Sequence, residues 1–244
     1  MKSLRKLFDS EQEKRHALTV EEQEHLVDYV YHAKPYMKWS TLFTVLLGTG
    51  MRIGEALGLR WDDCDFENNT ISVNHIILYK ESEQGGYRYR ISEPKTKAGF
   101  RIIPMFQDVK AALLREKGKK HDSALKPFGV DGYTNFIFLN SNGKVYTPGA
   151  VFDVIQRITN DYNREEFFKA AKEHREPRYL PKMSAHILRH TFCTRLCENE
   201  SDIKVVQDVM GHKNSRTTMD VYNEATAARK AASFQSIEGK IKLA

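Results

Sequence analysis

From Thr19 onward the apolar positions recur at intervals of three and four, the pattern of helices with one buried face. Thr19 caps "LTVEEQEHLVDYVYHA", Glu22 completes a capping box, and Leu26, Val27, Val30 and Tyr31 supply the inward face. A second helix is predicted over 36–48, ending at "GTG", and "RIGEALGL" reads as a short third one. The period then changes. "TISVNHIILY", "YRYRIS" and "FRIIPM" are rich in β-branched and aromatic residues, with Gly85-Gly86 in the first gap and "PKTKAG" in the second. They predict a three-stranded antiparallel meander with two hairpins. "QDVKAALLREKGKK" returns to helix, "TNFIFLN" followed by "SNGK" reads as a short strand and turn, and "TPGAVFDVIQRITNDYN" is helical with Pro148 near its start. Residues 163–181 are dense in charge, contain two prolines and read as an insertion or elaborated loop, partly helical. Beyond them Ser184 caps "AHILRHTFCTRLCEN", Asp202 caps "IKVVQDVMG" with Gly211 closing it, and Ser215 caps "RTTMDVYNEAT". The last eighteen residues are polar, with Phe234, Ile237, Ile241 and Leu243 as scattered apolar anchors. The fold class is α+β, mainly α-helical, with a small three-stranded antiparallel sheet set to one side.

Composition narrows this only a little. The 244 residues suffice for a well-buried core, and 41% hydrophobic with 29% charged residues is a globular balance. The most apolar run, "STLFTVLLGTGM", is too short and too glycine-broken to span a membrane. The basic start is followed by no apolar segment, so no secretory leader is expected. Cys64, Cys193 and Cys197 have no regular spacing, which suggests reduced thiols and no zinc set. Together these place the chain in the cytoplasm. The net charge of +6 favours a polyanionic partner, nucleic acid first. It is spread along the chain, as a folded cationic face would be.

The densest chemistry lies in "HILRHTFCTR" and "MGHKNSRTTMDVY". His186, Arg189 and His190 fall at i, i+3 and i+4 and share one helix face. Stacked cations repel unless something anionic joins them, and a phosphate matches the arginine fork. Taken singly, the other sites are ordinary. His212 follows a glycine at a helix end, Tyr222 sits on an amphipathic turn, Arg52 and Glu55 form an i, i+3 ion pair, and the lysines of "PKTKAG" occupy a hairpin tip.

Taken in order, Arg…Lys…His-x-x-Arg…Gly-His…Tyr, with "GMRIGEALGLRW" in front and "LRHTF…MGH…TTMDVY" behind, the sequence resembles the catalytic domain of the tyrosine recombinase (phage integrase) family. The branch is that of integrases from conjugative transposons and phages of low-GC bacteria. The likeness spans about residues 17–226. Residues 1–16 read as a lead-in and 227–244 as a tail that docks on a neighbouring protomer.

The resemblance implies cleavage and rejoining of DNA strands through a 3′-phosphotyrosyl intermediate, without metal, ATP or other cofactor, in the integration or excision of a mobile element. It assigns Tyr222 as nucleophile. Arg52 and Arg189 clamp the phosphate, His212 donates a further hydrogen bond, and His186 serves as base or proton relay. A hairpin lysine is the general acid. Lys95 best matches related hairpins, Lys97 competes, and Lys97 and Arg101 are also candidate DNA contacts. Glu55 buttresses Arg52 and His190 supports the "LRH" turn. Tyr222 follows His212 by ten residues, one more than in the simplest members. The implied partners are a double-stranded core site, three further copies in a tetrameric synapse and an accessory directionality factor, all at the bacterial nucleoid. Competing readings are a type IB topoisomerase, a DNA-binding protein without catalysis and a metal-dependent nuclease.

Overall fold

The computed structural model describes residues 16–94, 96–119, 127–200, 202–213, 216–223 and 225. Helix α1 (Val20–His32) opens with the expected capping box: the Glu22 backbone N–H donates to Thr19 Oγ1 at 3.1 Å, and the Thr19 N–H donates to Glu22 Oε2 at 2.7 Å. Helix α2 (Ser40–Thr49) buries Thr41, Leu42, Phe43, Val45, Leu46 and Thr49, which leaves it no solvent face of its own. A helix apolar on most sides belongs in the centre of a domain. It packs against α1, against α4 (Gln107–Lys117) and against α6 (Ala185–Asn199).

Helix α3 (Ile53–Gly58) lies on a β-ribbon, and two glycines one turn apart let it do so. A Cβ at Gly54 would stand 3.0 Å from the Ile77 carbonyl, and one at Gly58 3.1 Å from the Ile77 nitrogen. The spacing in "RIGEALG" thus places backbone directly on backbone.

The strands are β1 (Cys64–Asp65), β2 (Thr70–Val73), β3 (Ile76–Glu81), β4 (Tyr87–Ser92) and β5 (Arg101–Pro104). They do not form the expected meander. The first run splits at Asn74-His75. Its front half pairs with β1 and β5, with Ile71 opposite Cys64 and Ile103. Its rear half pairs with β4 as a separate two-stranded ribbon, with Tyr79 opposite Tyr89. A tertiary bond explains the split. His75 is buried, with Nε2 bonded to the Gly58 carbonyl at 2.7 Å and Nδ1 to Asn74 Oδ1, and this anchor turns the chain between the two sheets. "TNFIFLN" contributes isolated bridges, Arg60 to Phe136 and Leu139 to Val145, and no strand.

Helix α5 runs from Pro148 to Lys172, so the helical part of segment 163–181 is the continuation of this one rod. The rest returns along it. Asn163 brackets the Leu180 backbone, accepting its N–H at 2.7 Å and donating to its carbonyl at 2.8 Å. Ser184 caps α6, and Asp202 caps α7 (Ile203–Met210) by accepting the Lys204 N–H at 2.8 Å. Residues 216–223 are helical again. The Ser215 cap, the first fifteen residues and the tail lie outside the described residues. Among the described residues no helix is long and apolar enough to cross a membrane.

Candidate active site

Helix α7 ends with carbonyls that lack intrahelical partners and carry the negative end of the helix dipole. Three successive ones each accept from a different arginine. The Val209 carbonyl takes Arg101 Nε at 2.7 Å, the Met210 carbonyl takes Arg189 Nη2 at 2.6 Å, and the Gly211 carbonyl takes Arg52 Nη2 at 3.1 Å. Arg189 also donates Nη1 to the Gly50 carbonyl. Glu55 serves two of the three. Its Oε1 accepts from Arg52 Nη1 at 2.8 Å and Arg101 Nη1 at 3.3 Å. Its Oε2 accepts from Arg101 Nη2 and the Arg52 backbone N–H, each at 2.8 Å. A helix end and one buried carboxylate thus hold Arg52, Arg101 and Arg189 beside one another. Three guanidiniums against one carboxylate still leave two positive charges in excess.

Burial and like charge shape the titrations. Burial pushes the Arg189 guanidinium down to about 9, with Arg52 adding to the effect, so it stays charged at neutral pH. Burial works against ionising Glu55, but the bonds from Arg101 and Arg52 outweigh it and keep the carboxyl below its ordinary range. His212 is pushed down to about 4, first by burial, then by Arg189, Arg52, Arg101 and His186. It is therefore a neutral imidazole at pH 7. Its Nδ1 lies 2.8 Å from Oγ1 of Thr218, which is fully buried.

Tyr222 stands one helical turn beyond Thr218. Val221 and Ala225 sink into a small core made with Phe192, Cys193 and Cys197 of α6 and Val206 and Met210 of α7, and Tyr222, half-buried, packs against it. The helix bearing Tyr222 is thus mounted on the two helices that supply Arg189 and the arginine-binding carbonyls.

Comparison with known proteins fits this arrangement. The phage integrase family model matches residues 16–229. The chain belongs to the phage integrase family. It is 33% identical over 226 residues to the transposase from transposon Tn916 of Enterococcus faecalis, covering 91% of this chain and 51% of that protein. It is 28% identical to a XerC-like tyrosine recombinase of Caldanaerobacter subterraneus, over 80% of this chain and 48% of that one. The chain therefore spans about half the length of these relatives. Among solved structures, the Tn1549 transposon integrase in complex with circular intermediate DNA superposes with a TM-score of 0.76 at 34% identity, covering 94% of this chain and 69% of that one. The XerA recombinase, at 19% identity and a TM-score of 0.59, shares the fold.

Within this phage integrase family chain the remaining sequence candidates fall as follows. His186 is exposed at the start of α6 and near enough to His212 to lower its affinity for protons. His190 is half-buried, its Nδ1 3.3 Å from Thr194 Oγ1. Lys97 is exposed and opens the single turn Lys97–Gly99, while Lys95 lies outside the described residues. Arg101 turns inward: its side chain is 4% exposed and its donors go to Glu55, Gly99 and Val209. Reading the sequence missed Thr218, whose only signal is its place one turn before Tyr222. It also missed the carbonyls of residues 209–211, which have none beyond the "MGH" helix end. Among the described residues no group of three or more His, Cys, Asp or Glu side chains is placed to hold a metal.

Proposed function

We propose that the chain is the catalytic part of a tyrosine-type site-specific recombinase that integrates or excises a mobile element. Its substrate is a double-stranded core site, and its working form is a tetrameric synapse in which an accessory factor sets direction. One observation carries the reading. The site gathers two unbalanced positive charges at the end of α7, and the helix bearing Tyr222 is seated on the same framework.

In this reading the scissile phosphate sits against Arg52, whose side chain is 46% exposed, with Arg189 beneath it. The transition state gathers charge on the non-bridging oxygens, and donors fixed in advance stabilise that charge more than they stabilise the ground state. His212 donates as a neutral ring, with Thr218 holding Nδ1 so that Nε2 presents the proton. The Tyr222 oxygen attacks phosphorus, its proton leaving through His186. The bond to the 5′ oxygen breaks, and that oxygen takes a proton from Lys95 or Lys97. A 3′-phosphotyrosyl bond remains, and a second 5′-hydroxyl reverses the step on a new strand. The covalent link conserves the energy of the broken bond, so ATP is not required, and the arginine donors stabilise the developing charge in place of a metal.

A groove of about 930 Å³ between α1, α2, α4 and α6 is lined by Val27, Leu47, Val109 and Leu196 together with charged residues of both signs, among them Asp28, Asp108, Arg115 and Arg195. Its apolar lining suits Phe234, Ile237 and Ile241 in the tail of a second copy.

The test is a nicked duplex that traps the covalent state. Wild-type protein should give a protease-sensitive adduct on a denaturing gel, and Tyr222→Phe should bind DNA without forming it. An adduct from the Phe variant would overturn the assignment. Loss of the adduct in EDTA, restored by a divalent ion, would overturn the metal-free step.

A further inference from the structure

Arg101 opens β5 and connects three parts of the site. Its Nη1 donates to the Gly99 carbonyl of its own turn at 3.3 Å, its fork grips Glu55 of α3, and its Nε holds the Val209 carbonyl at the end of α7. The turn it belongs to is clamped from both sides. A Cβ at Gly99 would stand 2.4 Å from Pro94 Cβ, so the limbs of the turn touch. A Cβ at Gly211 would stand 2.8 Å from the Ala98 carbonyl and 3.0 Å from Arg101 Cδ and Nη1. All three nitrogens of the Arg101 guanidinium already have acceptors, on a carboxylate and two carbonyls, and its side chain is 4% exposed.

We infer that Arg101 is a positioning residue for the leaving-group side of the reaction. It pins the turn carrying Lys95 and Lys97 against the end of α7, so that a lysine ammonium reaches the departing 5′ oxygen, and it touches no DNA itself. This rests on the recombinase reading above. The chemistry makes it separable from the phosphate clamp. A 5′ oxygen leaves with the bond pair as a strongly basic alkoxide and takes a proton from the lysine. A 5′-bridging sulfur leaves as a thiolate, whose conjugate acid has a pKa of about 8.5, and needs no proton. Arg52 keeps its own bonds to Glu55 and Gly211 when Arg101 changes, so the clamp persists.

The test uses the full chain with Arg101→Lys and Arg101→Gln. The Lys variant keeps a charge beside buried Glu55 and preserves the fold, which thermal unfolding checks, so it decides the matter if the Gln variant does not fold. Single-turnover cleavage is measured on nicked duplexes with a 5′-oxygen or a 5′-bridging sulfur, and DNA affinity over a salt series. Cleavage of the oxygen substrate should fall about 100-fold, the worth of a well-placed general acid, with the sulfur substrate nearly unaffected. The salt dependence of binding should not change, whereas losing a phosphate contact would lower its slope by about 1. Equal losses on both substrates, a reduced salt slope, or no loss at all would each overturn the inference. A wild-type protein that forms no tyrosyl adduct on either substrate would overturn the recombinase reading and this one with it.

Discussion

Glu55 and Glu166 are both buried, and each accepts an arginine fork, from Arg101 and from Arg175. Their surroundings differ in charge ratio. At Glu166 two carboxylates share one guanidinium, since Arg175 also donates Nε to Glu173 at 2.7 Å. The Arg178 backbone N–H supplies Glu166 with a further donor at 2.9 Å. Every charge there has a partner nearby, and the result is a clasp that holds the segment after α5 to the helix. At Glu55 one carboxylate serves two guanidiniums, and a third, Arg189, rests on carbonyls alone. The lesson is that an ion pair does not mark a reaction site. An excess of positive charge, held by groups that cannot move away, does.

The largest effect should separate the two regions outright. Arg189→Gln should slow single-turnover cleavage by about 100- to 1,000-fold, as expected for a lost transition-state donor. Arg175→Gln should leave cleavage per folded molecule unchanged and shift the urea midpoint downward, because Glu166 loses its charged partner. Equal kinetic losses would erase the distinction. Next comes Gly211, whose φ of +62° suits glycine and whose Cα faces the Lys97 turn. Gly211→Ala should cost about 1–2 kcal/mol for the left-handed backbone. By displacing the turn and Arg101 it should also slow cleavage by about 100-fold.

Thr218→Val, which removes only the hydroxyl facing His212, should slow cleavage by about tenfold, one net hydrogen bond, while Thr218→Ser restores it. A further contrast is in acid stability, where the two regions should act in different windows. His212 binds its proton near pH 4 when folded and near 6.5 when unfolded, so the unfolded chain holds more protons between those values. Stability should therefore fall as pH drops from about 6.5 to 4, and His212→Gln should flatten that slope. Glu166, held at about 2 by Arg175, contributes stability above the ordinary carboxylate range and loses it as pH falls toward 2. Urea titrations at stepped pH, with Glu166→Gln as the second variant, check both windows.

Much of the fold was legible because its signals are local. The capping box at Thr19 and Glu22, the Ser184 and Asp202 caps and the closing Gly211 are fixed by residues within one turn of each other. The strand pairing was not, because the bend at Asn74-His75 depends on a bond to Gly58, 17 residues earlier. The same holds within the site. The Arg52–Glu55 pair is visible at i, i+3, whereas Arg101 turns inward to a carboxylate 46 residues away. The carbonyls of Val209, Met210 and Gly211 are backbone atoms, and no side-chain pattern announces them.

The central claim is that the excess charge at the end of α7 serves a phosphate attacked by Tyr222. The most direct measurement is peptide mapping of the trapped DNA adduct by mass spectrometry. After nuclease and trypsin digestion, the nucleotide remnant should sit on the peptide spanning residues 217–229, "TTMDVYNEATAAR", attached at Tyr222. A remnant on any other residue, or cleaved DNA with that peptide unmodified, would contradict it.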